Sequence, residues 1–346
     1  MEKMLCVTLT APKTLEVDYA PVPSPQKGEV MIKVMRVGVC GSDPTIYFGR
    51  HPYVSYPVIM GHEFSGIIEE LGEGVTRLKK GMRVTVIPHL VCGKCKACQT
   101  QTYNFCESLR CTGAEADGAH RQFICMPQEM VMEIPSTMSL DDAAMVEPAC
   151  VAYHGAKRGD ITPSDKVLIF GAGPIGIFCM QSCKALGAKE VYICDLDQER
   201  LDLAKELGAD VALNTKGIPI EQALEAFGGT KEIDVFYDCV GEKGIVFDNI
   251  LRIARRGTRI VIIGVLQNEY NVPHLPDFIQ HELRISGTTM YVPQDYRNMI
   301  NLMGDGVIMT KGMISHYFKL EDIKTVFSMI ENRTEKFFKI MLTVNE

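Results

Sequence analysis

The pattern of hydrophobic and polar positions changes character near residue 160. Before that point, short β-branched runs are broken by glycine and proline. Val30-Met31-Ile32-Lys33-Val34 and Gly66-Ile67-Ile68-Glu69-Glu70-Leu71 are two such runs, and Lys27-Gly28 and Lys80-Gly81 supply turns. Strands of this length, closed by such turns, predict an all-β body of barrel or sandwich type. Pro21-Val22-Pro23-Ser24-Pro25 is expected as a surface loop, because proline has no N–H to give a central ladder.

Past residue 160 the runs lengthen. Lys166-Val167-Leu168-Ile169-Phe170 reads as a strand buried on both faces, followed by a glycine turn and an apolar helix over 175–186. Strands at 190–195, 211–213, 233–240 and 259–264 then alternate with helices at 198–207, 218–227 and 243–255. Alternation through short loops predicts a parallel, doubly wound α/β sheet. Gly187 and Gly208 stand where those helices need a C-terminal cap. After 283–286 the alternation stops, and the tail from about 290 returns to the pattern of the first body. The expected division is therefore a β-rich domain of residues 1–150 and 290–346, with a nucleotide-binding domain of 151–289 inserted into it.

Composition narrows the function. A net charge of −7, with no basic run and no aromatic–basic interleaving, argues against a nucleic-acid partner. The first residues carry no apolar leader and no long apolar span follows, so a cytoplasmic protein is expected. An odd count of 13 cysteines does not suit a disulfide framework in a reducing compartment. Most are scattered through apolar stretches, where a thiol packs as a small hydrophobe. Four crowd into fifteen residues and need another explanation.

Those four are Cys92, Cys95, Cys98 and Cys106, with Gly93 and Lys94 in the turn. Four soft sulfurs close a tetrahedral zinc shell with no open position, which makes a structural site. Gly171-Ala172-Gly173-Pro174-Ile175-Gly176 stands between the buried strand and the apolar helix. Its first glycine makes a tight turn, its second admits a pyrophosphate, and its third lets helix and strand pack closely; the helix N-terminus then faces the phosphates. Asp195 ends the next strand nineteen residues on, placed to grip both ribose hydroxyls. Asp195 and Asp197 would repel a 2′-phosphate, and the first cation after them is Arg200, so NAD is expected over NADP. A purely structural turn and a helix-capping aspartate are the plainer alternatives.

A second metal set is carried by Gly38-Val39-Cys40-Gly41-Ser42-Asp43, by Gly61-His62-Glu63 and by Glu147-Pro148. Cys40, His62 and a carboxylate would leave a fourth zinc position open for water or substrate, as catalysis requires. Singly, each has a bland reading as a buried thiol, a core histidine or a helix-end charge. Taken in order, G-V-C-G-S-D, G-H-E, the four-cysteine loop, E-P-x5-H and G-A-G-P-I-G resemble the zinc-dependent medium-chain dehydrogenase/reductases over nearly the whole chain. That resemblance implies an α/β protein with a GroES-like β-rich catalytic domain and a Rossmann domain, the cofactor lying in the cleft between them. It also implies two zinc ions per chain, an NAD cofactor, and homodimers or homotetramers. Cys40 and His62 would bind the catalytic zinc. Where alcohol dehydrogenases carry a cysteine this chain has Glu147, as in the sorbitol/polyol branch. There Glu63 would ligate and Glu147 lie close.

The pattern over 41–57 is similar to that of bacterial sugar-acid 5-dehydrogenases acting on gulonate, idonate or galactonate; a neutral polyol such as sorbitol, galactitol or an inositol is the alternative substrate. Two departures are Ala119-His120, where Gly-Phe is more usual, and Val58, where an arginine is frequent. In the expected reaction zinc lowers the pKa of a secondary hydroxyl, Ser42 accepts its proton, and hydride passes to the nicotinamide. Tyr47, Arg50 and His51 are candidates for the substrate mouth, with the Arg50 guanidinium suited to a carboxylate. Two rivals are a zinc-lacking quinone oxidoreductase and a non-enzymatic zinc- or nucleotide-binding protein. The first needs none of these ligands, and the second would tolerate their loss.

Overall fold

The computed structural model describes residues 2–241, 244–265 and 275–346, and the chain divides into two compact units. The first comprises Met1–Pro148, Tyr291–Gly306 and Gly312–Glu346; the second comprises Ala149–Met290 and Val307–Lys311. The short piece 307–311 was expected with the tail. It packs in the second unit because the Gln181 side chain mimics a strand partner for it. Gln181 Nε2 donates to the Met309 carbonyl at 3.0 Å, and Gln181 Oε1 accepts from Met309 N at 2.8 Å.

The first unit is built on a seven-stranded sheet. Its order runs Ile314–Lys319, Lys339–Thr343, Glu29–Gly38, Glu63–Leu71, Arg83–Val86 and Val131–Glu133, with Phe123–Pro127 also pairing with Glu29–Gly38. Val30, Ile32, Val34 and Val37 are fully buried along the central strand. Each such side chain contributes about 1.5–3 kcal/mol relative to exposure. At one end of the sheet's strands the last residue of Glu29–Gly38 lies between its two neighbours: Gly38 pairs with Glu63 and with Met341. That register gathers residues from the first fifth of the chain and from its last ten residues. Pro21 closes the hairpin of Lys3–Ala11 with Thr14–Pro21, and 22–25 follow outside any strand.

The second unit is a six-stranded, all-parallel sheet in the order Val211–Asn214, Glu190–Asp195, Lys166–Phe170, Val235–Asp238, Arg259–Ile262 and Arg284–Gly287. The order reverses at Lys166–Phe170, the strand that runs into the glycine turn, and ligands of such sheets bind at that reversal. Gly171 adopts a φ of +95°, a conformation costly for other residues. Gly176 has no room for a side chain, because a Cβ there would strike the Gly171 carbonyl. The helix Pro174–Ala185 can therefore begin directly against the strand. The helix expected at 218–227 is shorter, Ile220–Leu224, and ends in a 3-10 turn capped by left-handed Gly228. The helix expected from 243 is described over Ile245–Ile253, and Lys243 itself lies outside the described residues. Among the described residues no helix is long and apolar enough to cross a membrane.

Two histidines enclosed in the first unit have, among the described residues, no hydrogen-bond partner on either ring nitrogen. His120 is fully buried and His89 is 1% exposed. Burial pulls His120 down to about 3 and His89 to about 4, so both are neutral inside the fold. The unfolded chain takes up these protons near pH 6.5. Their contribution to stability is therefore complete above about pH 6.5 and is lost as pH falls towards 4 and then 3. Thermal unfolding at pH 7 and pH 5 should show an acid loss to which His120 contributes on the order of 2 kcal/mol. His120→Phe should shrink that difference by a few degrees; an unchanged difference would contradict the assignment.

Candidate active site

The four clustered cysteines converge as their spacing requires. The sulfurs of Cys92, Cys95, Cys98 and Cys106 lie within 4.8 Å of one another, with Cys95 to Cys98 at 3.5 Å and Cys92 to Cys98 at 3.9 Å. Backbone amides point at them: Cys95 N donates to the Cys92 sulfur and Cys92 N to the Cys106 sulfur, both at 3.4 Å. The N–H groups of Lys94 and Cys95 draw the Cys92 thiol down to about 6, whereas burial and shared hydrogen bonds with its neighbours push Cys98 up to about 12. Four thiols cannot all ionise side by side without a cation. A dication removes that conflict, so the donor set fits a closed zinc site.

The second set forms at the sheet end described above. Cys40, His62 and Glu63 place one ligand atom each within 4.8 Å of one another. His62 and Glu63 are 8% and 1% exposed. Burial alone would lower the His62 pKa, but Cys40, by charge and hydrogen bond, and then Asp43 drive it well above the ordinary imidazole range. A cation is thus favoured among these donors, and this donor set also fits zinc. Asp43 is fully buried; its Oδ2 accepts from Cys40 N at 2.8 Å, and its Oδ1 lies 3.8 Å from His62 Nδ1. Burial raises the Asp43 pKa, offset in part by His62.

Glu147 does not join this close group. It is 6% exposed at the start of the helix Val146–Lys157, and its Oε1 accepts from the Tyr291 hydroxyl at 2.9 Å. Burial lifts its carboxyl to about 7, with His62 opposing and Glu63 adding to the rise. Glu63 in turn is ion-paired with Lys339, which is 4% exposed. Burial would lower the Lys339 pKa, but Glu63 and Cys40 raise it. A Cβ on Gly38 would run into the Glu63 carboxylate, so the glycine leaves room for this pair.

Ser42 is half-buried beside Cys40; it starts the five-residue helix Asp43–Tyr47, and its amide donates to the Cys40 sulfur at 3.5 Å. Tyr47 is 8% exposed, and its ring packs on Phe327 at 4.6 Å and Phe48 at 5.2 Å. Arg50 is exposed and lies across the Phe48 ring at 5.2 Å. In the second unit Asp195 is tied to the glycine turn: its Oδ2 accepts from Ala172 N at 2.6 Å, and its Oδ1 accepts from Leu196 N and Asp197 N. Asp197 caps the next helix through Glu199 N. Arg200 brings its guanidinium to the turn, within 3.8 Å of where a Gly173 Cβ would stand.

Sequence reasoning passed over Asp43, Tyr291 and Lys339. Asp43 closes the G-V-C-G-S-D motif, three residues past Cys40, and so had a local signal. Lys339 had a fainter one, as the lone charge in Phe337-Phe338-Lys339-Ile340-Met341-Leu342. Tyr291 had none.

Comparison with known proteins agrees with this architecture. Residues 26–136 match the alcohol dehydrogenase GroES-like domain, and residues 174–305 match the zinc-binding dehydrogenase domain. Sorbitol dehydrogenase of Bacillus subtilis is 32% identical over 99% of this chain and 98% of its own length. L-Idonate 5-dehydrogenase of Vitis vinifera is 31% identical over 94% of this chain and 91% of its own. A crystal structure of the Escherichia coli alcohol dehydrogenase RspB complexed with NADH superposes with a TM-score of 0.90 at 31% identity, covering 99% of both chains. The chain belongs to the zinc-dependent medium-chain alcohol dehydrogenases, in the branch that includes sorbitol and sugar-acid dehydrogenases. Elemental analysis should find two zinc ions per chain. Cys98→Ser should remove one and lower the melting temperature by on the order of 10 °C, because a closed zinc site contributes folding energy directly; full zinc with unaltered melting would refute the structural role.

Proposed function

We propose that this alcohol dehydrogenase oxidises a secondary hydroxyl of a polyol or sugar acid, with NAD⁺ as hydride acceptor and a catalytic zinc held by Cys40, His62 and Glu63. The observation that carries the reading is the approach of those three donors to within 4.8 Å, in a chain whose second unit has the dinucleotide turn. Bound there, zinc would act as a Lewis acid on the substrate hydroxyl and lower its pKa. Asp43 holds the Cys40 amide and stands against His62, so it orients both ligands and balances their charge. Lys339 neutralises Glu63 and holds its carboxylate in place. Ser42, next but one to Cys40, is assigned the hydroxyl proton. Glu147, steadied by Tyr291, is a second acid at hand rather than one of the three donors.

The cofactor would be held by Gly171, Gly173, Pro174, Ile175 and Gly176, whose turn offers its backbone to the pyrophosphate. Asp195 already accepts three amides, and a carboxylate with four lone-pair sites keeps capacity for a ribose hydroxyl. Asp195 and Asp197 together disfavour a 2′-phosphate, and Arg200 approaches the turn itself.

His62→Ala should reduce turnover by at least about a thousandfold, the scale of removing a group that stabilises charge in the transition state. It should also lower zinc from two to one per chain, while NAD⁺ binding, followed by fluorescence titration, stays near wild type. Turnover surviving in this variant after chelation would end the zinc assignment. In steady-state kinetics NAD⁺ should be preferred over NADP⁺, and Asp195→Ala should cut the NAD⁺ kcat/KM by about tenfold to a hundredfold, the worth of a charged hydrogen bond. Equal wild-type efficiency with both cofactors would overturn the role of Asp195.

A further inference from the structure

Asp238 is a fully buried acid that the proposed reaction does not use. It is the last residue of Val235–Asp238, the strand that pairs with Lys166–Phe170 where the sheet order reverses. One carboxylate oxygen, Oδ1, accepts from Val240 N and from Gly241 N, both at 2.9 Å. Its main-chain carbonyl accepts from Ile263 N and Gly264 N, also at 2.9 Å. A single residue thus holds the turns that follow two adjacent strands. The other carboxylate oxygen, Oδ2, is buried and has no hydrogen-bond partner among the described residues. Burying an acceptor unpaired costs stability, so the carboxylate needs a reason beyond local folding.

The segment 239–241 bears directly on the dinucleotide turn. A Cβ on Gly171 would come within 2.8 Å of Val240 Cγ2, so the valine side chain lies against that glycine. Cys239 N donates to the Phe170 carbonyl at 3.0 Å, which ties the segment to the residue before Gly171. On its far side the segment is backed by Gly264, where a Cβ would come within 2.3 Å of Gly241 N. The dinucleotide turn is therefore held from two sides. From one neighbouring strand Asp195 accepts from Ala172 N at 2.6 Å; from the other, the segment that Asp238 caps is packed on Gly171.

We infer that Asp238 is a positioning residue for the cofactor: by capping Val240 and Gly241 it keeps the dinucleotide turn in the shape that binds NAD⁺. This rests on the reading that the turn Gly171–Gly176 holds the pyrophosphate. A turn already in its binding conformation is not ordered at the expense of binding energy. A turn released on one side must be ordered as the cofactor arrives, so affinity falls while the zinc site, which belongs to the first unit, is untouched.

The test is fluorescence titration with NADH, together with steady-state kinetics in NAD⁺, on zinc-loaded wild type, Asp238→Asn and Asp238→Ala. Asparagine keeps an oxygen for both amides and should bind NADH as wild type does. In Asp238→Ala the NADH Kd and the NAD⁺ KM should rise about tenfold, corresponding to roughly 1.4 kcal/mol. Its kcat at saturating NAD⁺ should not fall, and its zinc content should be that of wild type. Gly264→Ala pushes the same segment from behind and should weaken NADH similarly, which carries the test if Asp238→Ala does not fold. A merely structural cap would lower the melting temperature of Asp238→Ala and leave its NADH Kd unchanged. That result, an asparagine variant as weak as the alanine one, or a Gly264→Ala enzyme with wild-type NADH affinity overturns the role of Asp238 and leaves the proposed function standing. If zinc-loaded wild type binds neither NADH nor NAD⁺, the proposed function fails and this inference falls with it.

Discussion

A lysine 4% exposed holds a glutamate 1% exposed, and the donor set is arranged round that pair. Burying either charge alone would cost several kcal/mol, so Lys339 and Glu63 are obliged to meet. Their meeting requires Lys339–Thr343 to pair beside Glu29–Gly38, which pairs on its other side with Glu63–Leu71. It also requires a glycine at position 38, where a side chain would occupy the carboxylate's place. The sheet register, the glycine and the ion pair are thus one constraint. It fixes where Glu63 stands relative to Cys40 and His62.

The same accounting runs outward through the first unit. His62 is held between Cys40 and Asp43, Glu147 is satisfied by Tyr291, and the segment 111–118 is packed on Gly61. Each neighbour offsets a charge or satisfies a hydrogen-bonding group that burial would otherwise penalise. Zinc suits such a place because two positive charges answer a thiolate and a carboxylate at once. The closed four-sulfur loop meets the same difficulty by a shorter route, with all its donors and their amide partners inside fifteen residues.

In the second unit the decisive constraint is steric. Gly176 must lie against the Gly171 carbonyl for the helix to start where the strand stops, and Asp195 ties the turn to the next strand through Ala172 N. This geometry was legible from the glycine spacing, the apolar run before it and the acid nineteen residues later. Less legible were the piece 307–311, which joins this unit through a glutamine side chain, and the short helix Ile220–Leu224. Hydrophobic periodicity reports which face is buried; it does not report which distant side chain completes a ladder.

The sequence alone determined the class of fold, the β-rich and the doubly wound parallel parts, the two metal-ligand groups and the dinucleotide turn. It could do so because each depends on residues close together in the chain: a strand, a tight turn and a helix, or a cysteine loop whose spacing is its geometry. Tertiary structure decided that Glu63 rather than Glu147 stands closest to Cys40 and His62, that Lys339 and Tyr291 hold those two acids, and that Tyr47 is packed against Phe327. These partners reach the site from strands and loops far apart in the chain. Only the pairing register of the sheet, together with the need to neutralise every buried charge, selects which of them meet.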